Sequence, residues 1–353
     1  MRNGRLVVLL TVLMAAMLAL SACGKKESVS EAMRNAWSAS MDMRSFMFDG
    51  SFVIDKLELP PGAMEAPGLP YLDMIRNMSV SVRGAYVREP MQMEMSLKLT
   101  LPGDLALSFE VPFILTADKM YVRVPDIPLF PLGDAAGKFV EFDLGELSEA
   151  QGGTLPTVDV ETQRRLSVDM LNILARHLDE REYFRELKKD EVPGLPADLK
   201  ADRYVKFGVT NDNSEAFVTA LAEHIAPELI DLLLENEAYR TALNIPESEL
   251  RRAKDEWSAS DPESRRKELD ELKESLRIHE FSVTGAIKGN HMVYQALKAD
   301  FEVTDQGETT GVAFTFDIRY DHINEDVTFE HGIPEDPITM EELEQSLYFG
   351  SAY

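Results

Sequence analysis

Apolar and polar positions alternate over long stretches of this chain. Met91, Met93, Met95, Leu97, Leu99 and Leu101 alternate with Gln92, Glu94, Ser96, Lys98 and Thr100. These eleven residues predict a strand of about 36 Å. Pro102-Gly103-Asp104 predicts a turn, and Leu105, Leu107, Phe109, Val111 and Phe113 carry the alternation back, so the pair reads as a long antiparallel hairpin with one apolar face. Phe46, Phe48, Phe52 and Ile54 show the same period upstream, and Ser79 to Arg88 adds a further strand. Met120 to Val124 and Phe139 to Leu144 predict shorter ones. A second meander is predicted from Phe281 to Ile287, Val293 to Val303 and Val312 to Tyr320, where Phe314 and Phe316 alternate with polar residues, and Val327 to Phe329 reads as a short last strand.

Helical spacing interrupts these strands. Ser28 and Glu31 form a capping box before Met33, Trp37 and Met41. Leu166, Met170, Ile173 and Leu174 share one side of a helix over residues 160–180. Strand-like stretches follow near Tyr183 to Leu187 and Tyr204 to Val209. Asn213 or Ser214 can cap a helix carrying Phe217, Leu221, Ile225, Leu229 and Leu233, with a kink predicted at Pro227. A charged helix is predicted from Pro262 to about Ile278, and a closing helix from Met340 to Tyr348. The expected fold class is α+β. One domain covers residues 29–349, with halves of about 29–150 and 158–349 that repeat the order of helix and then strands, and a helical insert at about 214–278.

The first residues carry an address. Arg2 and Arg5 precede an apolar run from Leu6 to Leu20 in which only Thr11 is polar, too short for a comfortable membrane span and proportioned as a signal-peptide core. It ends in Leu20-Ser21-Ala22-Cys23, which resembles the lipobox of bacterial lipoproteins. That resemblance implies removal of residues 1–22 and a diacylglyceryl group on Cys23, the only cysteine. Residues 23–28 are then a short tether, with a reach under about 20 Å. The expected location is extracytoplasmic, on a bacterial membrane, through acyl chains rather than a spanning helix.

Charge and composition narrow the rest. The chain of 353 residues has 36 basic and 62 acidic side chains, a net charge of -26, which argues against a nucleic-acid partner. Loss of Arg2 and Arg5 leaves 34 minus 62, or -28, so an anionic bilayer would repel the body and the anchor must hold it. A single cysteine excludes an internal disulfide, zinc ribbons and iron-sulfur clusters within one chain.

Candidate chemistry is sparse, and no enzyme, cofactor or metal is expected. Ser264 and Lys267 stand at the SxxK spacing of serine acyl-enzymes, but in a charged helical stretch. His322 and His331, with Asp321, Glu325, Asp326 and Glu330, could bind a divalent cation if the strand ends converged; a solvated acidic turn or an edge-strand charge row that blocks aggregation is the plainer reading. Asp305-Gln306-Gly307-Glu308 faintly evokes a calcium loop. The methionine row admits a soft-metal site, a cavity wall that repacks around varied apolar ligands, or plain core. Leu69, Tyr71, Ile127, Leu129 and Phe130, in two proline-bearing loops, either pack under the sheet edge, form the mouth of such a cavity or dip into the nearby bilayer.

The layout of lipobox, short tether, capped helix and meander is followed by Lys119-Met120-Tyr121-Val122-Arg123-Val124-Pro125, Lys138-Phe139-Val140-Glu141-Phe142-Asp143-Leu144 and Tyr320-Asp321-His322-Ile323-Asn324-Glu325-Asp326-Val327-Thr328-Phe329. Over most of residues 28–337 this resembles the LolA/LppX-type superfamily of bacterial envelope lipoproteins. The resemblance implies a curved antiparallel half-barrel with helices on its concave face and, in several members, a cavity that carries lipid or lipidated protein. The expected function is therefore a membrane-anchored protein that holds a lipid or other apolar ligand between sheet and helices. Its cavity would be lined by Met91, Met93, Met95, Leu97, Leu99, Phe109, Phe314 and Phe316. The alternative is a structural or interaction lipoprotein of the envelope, with a closed core and a protein partner.

Overall fold

The computed structural model describes residues 27–60, 78–101, 107–126, 135–150 and 160–350. Cys23, the signal sequence and the loop residues Leu69, Tyr71, Ile127, Leu129 and Phe130 lie outside them. The described chain is an α+β fold around one curved, open, antiparallel sheet of eleven strands.

In chain order the strands are β1 (Ser45–Glu58), β2 (Ser79–Val87), β3 (Gln92–Leu101), β4 (Leu107–Thr116), β5 (Lys119–Arg123), β6 (Phe139–Asp143), β7 (Phe184–Leu187), β8 (Arg203–Thr210), β9 (Leu276–Lys288), β10 (His291–Asp305) and β11 (Glu308–Asp321). Their order across the sheet is β6-β5-β4-β3-β2-β1-β11-β10-β9-β8-β7. Two meanders thus spread outward from a central seam in which the first strand pairs with the last, from Met47 opposite Asp321 to Glu58 opposite Gly311.

Helix α1 (Val29–Met41) is capped as its sequence predicts: the Ser28 hydroxyl accepts from the Glu31 amide at 3.2 Å, and the Ser28 amide donates to the Glu31 carboxylate at 3.0 Å. Its small residues Ala32 and Ala36 let it lie close on Val205, Ile287 and Met292 of β8–β10. After β6 come α2 (Leu144–Ala150), α3 (Val160–His177) and the single turn α4 (Glu180–Tyr183). Between β8 and β9 stand α5 (Ser214–Ala220), α6 (Ala226–Glu235), α7 (Glu237–Leu243), α8 (Glu247–Ala259) and α9 (Pro262–Ser275). The chain closes with α10 (Met340–Gly350).

Residues 221–225, between α5 and α6, form a π turn in which the Ala226 amide reaches Leu221. The imino nitrogen of Pro227 has no proton to continue the regular ladder, so the predicted kink takes this form. The helical layer seals one face of the second half: Ile173 of α3 and Ile225 of the π turn meet Val209 and Ile278, with Val209 and Ile225 fully buried.

Two largely irregular stretches, the first opening on a 3-10 turn at Lys189–Glu191, cover the opposite face. Residues 188–201 lie over β7–β10, where Leu199 and Val192 pack with Ala286 and Tyr294, whose hydroxyl donates to the Pro193 carbonyl at 3.1 Å. Residues 322–339 cross β1–β6. Asn324 donates its amide to the Ser45 carbonyl at 2.8 Å, and Ile338 bridges β6 beside Val140. Ala85, Ile114 and Tyr121 are buried on the face this strap crosses.

Three expectations are corrected. Val327 to Phe329 belongs to the strap and pairs with no strand. The charged helix ends at Ser275, because Leu276 already enters β9 and Ile278 is 4% exposed beneath the helices. Met91 lies in the β2–β3 turn, so the ladder begins at Gln92.

Candidate functional site

The register places every other predicted cavity residue on one face. Phe316 stands opposite Phe52, Phe52 opposite Val80, Val80 opposite Leu99, and Leu99 opposite Phe109, a row of apolar side chains across five strands. The next row runs Ile318, Gly50, Val82, Leu97 and Val111. A third runs Tyr320, Phe48, Gly84, Met95, Phe113 and Val122, and a fourth Phe46, Tyr86, Met93, Leu115 and Met120. Phe314 lies opposite Ile54, with ring centroids of Phe52 and Phe314 5.7 Å apart. None of these positions carries a charge. With strands about 4.8 Å apart and same-face residues about 6.8 Å apart, the four rows from β11 to β5 cover about 24 by 20 Å.

The side chains on this floor are half-buried, unlike Val205 and Val209 on the same face of the second half, which are fully buried. The difference follows from the helices. The helices whose backbones come closest to the sheet are α1, α4, α5 and α9 on β7–β10, and α2 and α10 on β6. Among the described residues, one face of one sheet is thus sealed by helices over β7–β10 and carries, across β11 and β1–β5, half-buried apolar rows without charge.

Local sequence shapes that surface. Glycines at 50 and 84 keep two positions of the floor low: a Cβ at Gly84 would fall on the Glu94 carbonyl and within 2.6 Å of the Phe48 ring, which occupies the space instead. Phe46 lies 5.1 Å from Tyr86 and 5.5 Å from Tyr320, ring centre to ring centre, so one end of the floor is aromatic. Burial pushes the Tyr320 phenol up, which keeps it neutral.

Behind the four rows, charged side chains of the same strands, among them Arg83, Lys98 and Glu110, lie on the other face. Glu280 bridges Lys206 and Lys298, each at 2.9 Å. Burial pushes its carboxyl up, but hydrogen bonds from Lys298, Lys206 and Ser282 outweigh that and hold it at about 2. Glu302 is held at about 2 by Lys56 and His279.

The sequence-level metal candidate is rearranged. Among the described residues Glu94, Glu330 and His331 bring ligand atoms within 4.8 Å of one another, while His322, Asp321, Glu325 and Asp326 do not join them. Glu94 is 4% exposed and its oxygens are already taken: it accepts backbone N–H groups from Glu330 at 2.8 Å, His331 at 2.9 Å and Gly332 at 2.9 Å. It acts as an internal anion for a turn of the strap. Asp305 and Glu308 close a two-residue hairpin turn, with Gln306 at φ 50° and Gly307 at φ 87°, and make no calcium loop. The Ser264 hydroxyl donates to Asp261 at the cap of α9, and Lys267 is exposed.

Sequence reasoning missed the stacked pair His177 and His224, 5.5 Å apart, with Glu228 2.6 Å from His177 Nε2. The residues come from α3, the π turn and α6, and no spacing within one element announces them. No helix among the described residues is long and apolar enough to cross a membrane. No protein-family model matches the chain, and no curated protein matches it in sequence.

Proposed function

We propose that this chain is an extracytoplasmic lipoprotein, anchored through Cys23, that binds the acyl part of a lipid against the apolar floor of β11 and β1–β5. One observation carries the reading: four uncharged rows cross five or six strands, while the same face of β7–β10 is closed by helices. A floor whose only polar side-chain atoms are the Tyr86 and Tyr320 hydroxyls at one end favours hydrocarbon. At about 0.8 kcal/mol per methylene removed from water, a long chain is held without any charged contact. The exposed faces of Met93 and Met95 suit a ligand of variable shape, because an unbranched thioether repacks at low cost.

The test is native mass spectrometry of residues 24–353 purified without detergent, with organic extraction of the same sample. The expected result is an added mass recovered as lipid. Leu97→Asp, which places a carboxylate mid-floor, and Met93→Asp, which places one in the row at its edge, are expected to remove it while leaving the far-ultraviolet spectrum unchanged. A clean unliganded mass that persists after incubation with phospholipid and free fatty acid overturns the reading, and assigns the floor to a protein partner in the envelope.

A further inference from the structure

We infer that one rim of the sheet, the one formed by the turns at residues 88–91, 116–119 and 288–291, rests on the bilayer, so that the apolar floor opens onto the membrane. The inference rests on the lipoprotein reading and deepens it. Glu27 stands at this rim: its carboxylate meets Arg203 Nη1 at 3.2 Å and its carbonyl accepts from Nη2 at 3.4 Å. Arg203 opens β8, and the neighbouring Asp202 accepts the Gly289 amide of the β9–β10 turn at 2.8 Å. The antiparallel ladders carry the same strand ends across the sheet, through Asp321 opposite Met47, Ser45 opposite Val87, and Gln92 opposite Thr116.

Length decides the orientation. Three residues lie between Cys23 and Glu27, and the four Cα-to-Cα steps span about 14 Å at full extension. Strand β10, of 15 residues, is about 50 Å long. The acyl chains can therefore hold the 288–291 rim at the headgroups, and the turn at Gln306-Gly307 is carried far from them. The fourth row of the floor, Phe46, Tyr86, Met93, Leu115 and Met120, lies at this same rim. An acyl chain leaving the bilayer would meet apolar side chains at once. Charge does not provide the orientation, because the rim mixes Arg44 and Lys288 with Glu89, Glu325 and Asp326. The anchor provides it.

The test uses the full lipidated chain, whose single native thiol is blocked by its thioether, so an introduced cysteine is the only site of labelling. Asn290→Cys, Glu89→Cys and Glu308→Cys, all exposed turn or hairpin-end positions, each receive a fluorophore and are reconstituted in phosphatidylcholine vesicles containing a headgroup-nitroxide lipid. Strong quenching at 290 and 89, and weak quenching at 308, is the expected pattern. Equal quenching at all three, or quenching at 290 without 89, overturns the orientation. Intact mass of the same sample separates the two levels: a chain without the diacylglyceryl mass on Cys23 overturns the lipoprotein reading itself.

Discussion

Glu94 is a polar position of a strand whose alternation assigns it to solvent, and it is buried because a segment some 236 residues later in the chain crosses over it. Its carboxylate collects backbone amides from three successive residues of the strap, charge-assisted bonds that a neutral side chain cannot reproduce. Glu94→Gln turns an NH2 group toward those amides. It is expected to lower stability by about 2 to 3 kcal/mol, read as a fall in the urea midpoint at unchanged m-value. Glu280 and Glu302 make a different prediction. Both are held at about 2 against an ordinary value of 4.5. The folded state thus binds fewer protons than the unfolded chain between those values, and the stability these carboxylates contribute is complete above pH 4.5 and lost as pH falls toward 2. Glu280→Gln should flatten the acid limb of the melting-temperature profile within that window and leave it parallel to the parent above it; an unchanged acid limb would refute the assignment.

At the scale of elements, the β3–β4 hairpin was the most legible part of the chain, because one apolar face and one polar face leave a period of two that no helix can imitate. Where burial is two-sided or supplied from afar, the pattern misleads. Leu269, Leu272 and Leu276 keep helical spacing across the junction of α9 and β9, so the helix reads through Ile278, although β9 has already paired Leu276 with Val303. Val327 and Phe329 alternate like a strand, yet they belong to a strap whose backbone bonds to the sheet lie on either side of them, at Asn324 and at Ile338. The shared face of Leu99, Phe109 and Phe316 could be anticipated strand by strand, but their alignment into rows depends on the β1–β11 seam, which local sequence does not encode. Gly84 shows how tightly that alignment is set. A Cβ there has the Phe48 ring on one side and the Glu94 carbonyl on the other, so Gly84→Val should cost about 3 kcal/mol by overpacking and perturb the third row. Thermal unfolding reports the first effect, and loss of the lipid-bound mass reports the second.

On the scale of the whole molecule, the halves of about 29–150 and 158–349 exchange their end segments. The N-terminal helix α1 lies on β7, β8 and β10 of the second meander, and the C-terminal strap crosses the first. The seam itself joins the first strand to the last, from Met47 opposite Asp321 to Glu58 opposite Gly311. Each half therefore exposes, when alone, an edge strand with unpaired amides and a face whose cover belongs to the other half. Closing contacts between the two ends of so long a chain also places the largest loop-closure cost on the seam, so the sheet gains little until β11 has docked. Fragments 27–150 and 160–350, expressed separately, are expected to lack a cooperative thermal transition, and on mixing or co-expression to recover one together with the strand signal of the intact chain. Independent folding of either fragment would show that α1 and the strap decorate finished domains and do not complete them. Recovery only on mixing would establish that the apolar floor is built by the same interlock that makes the sheet whole.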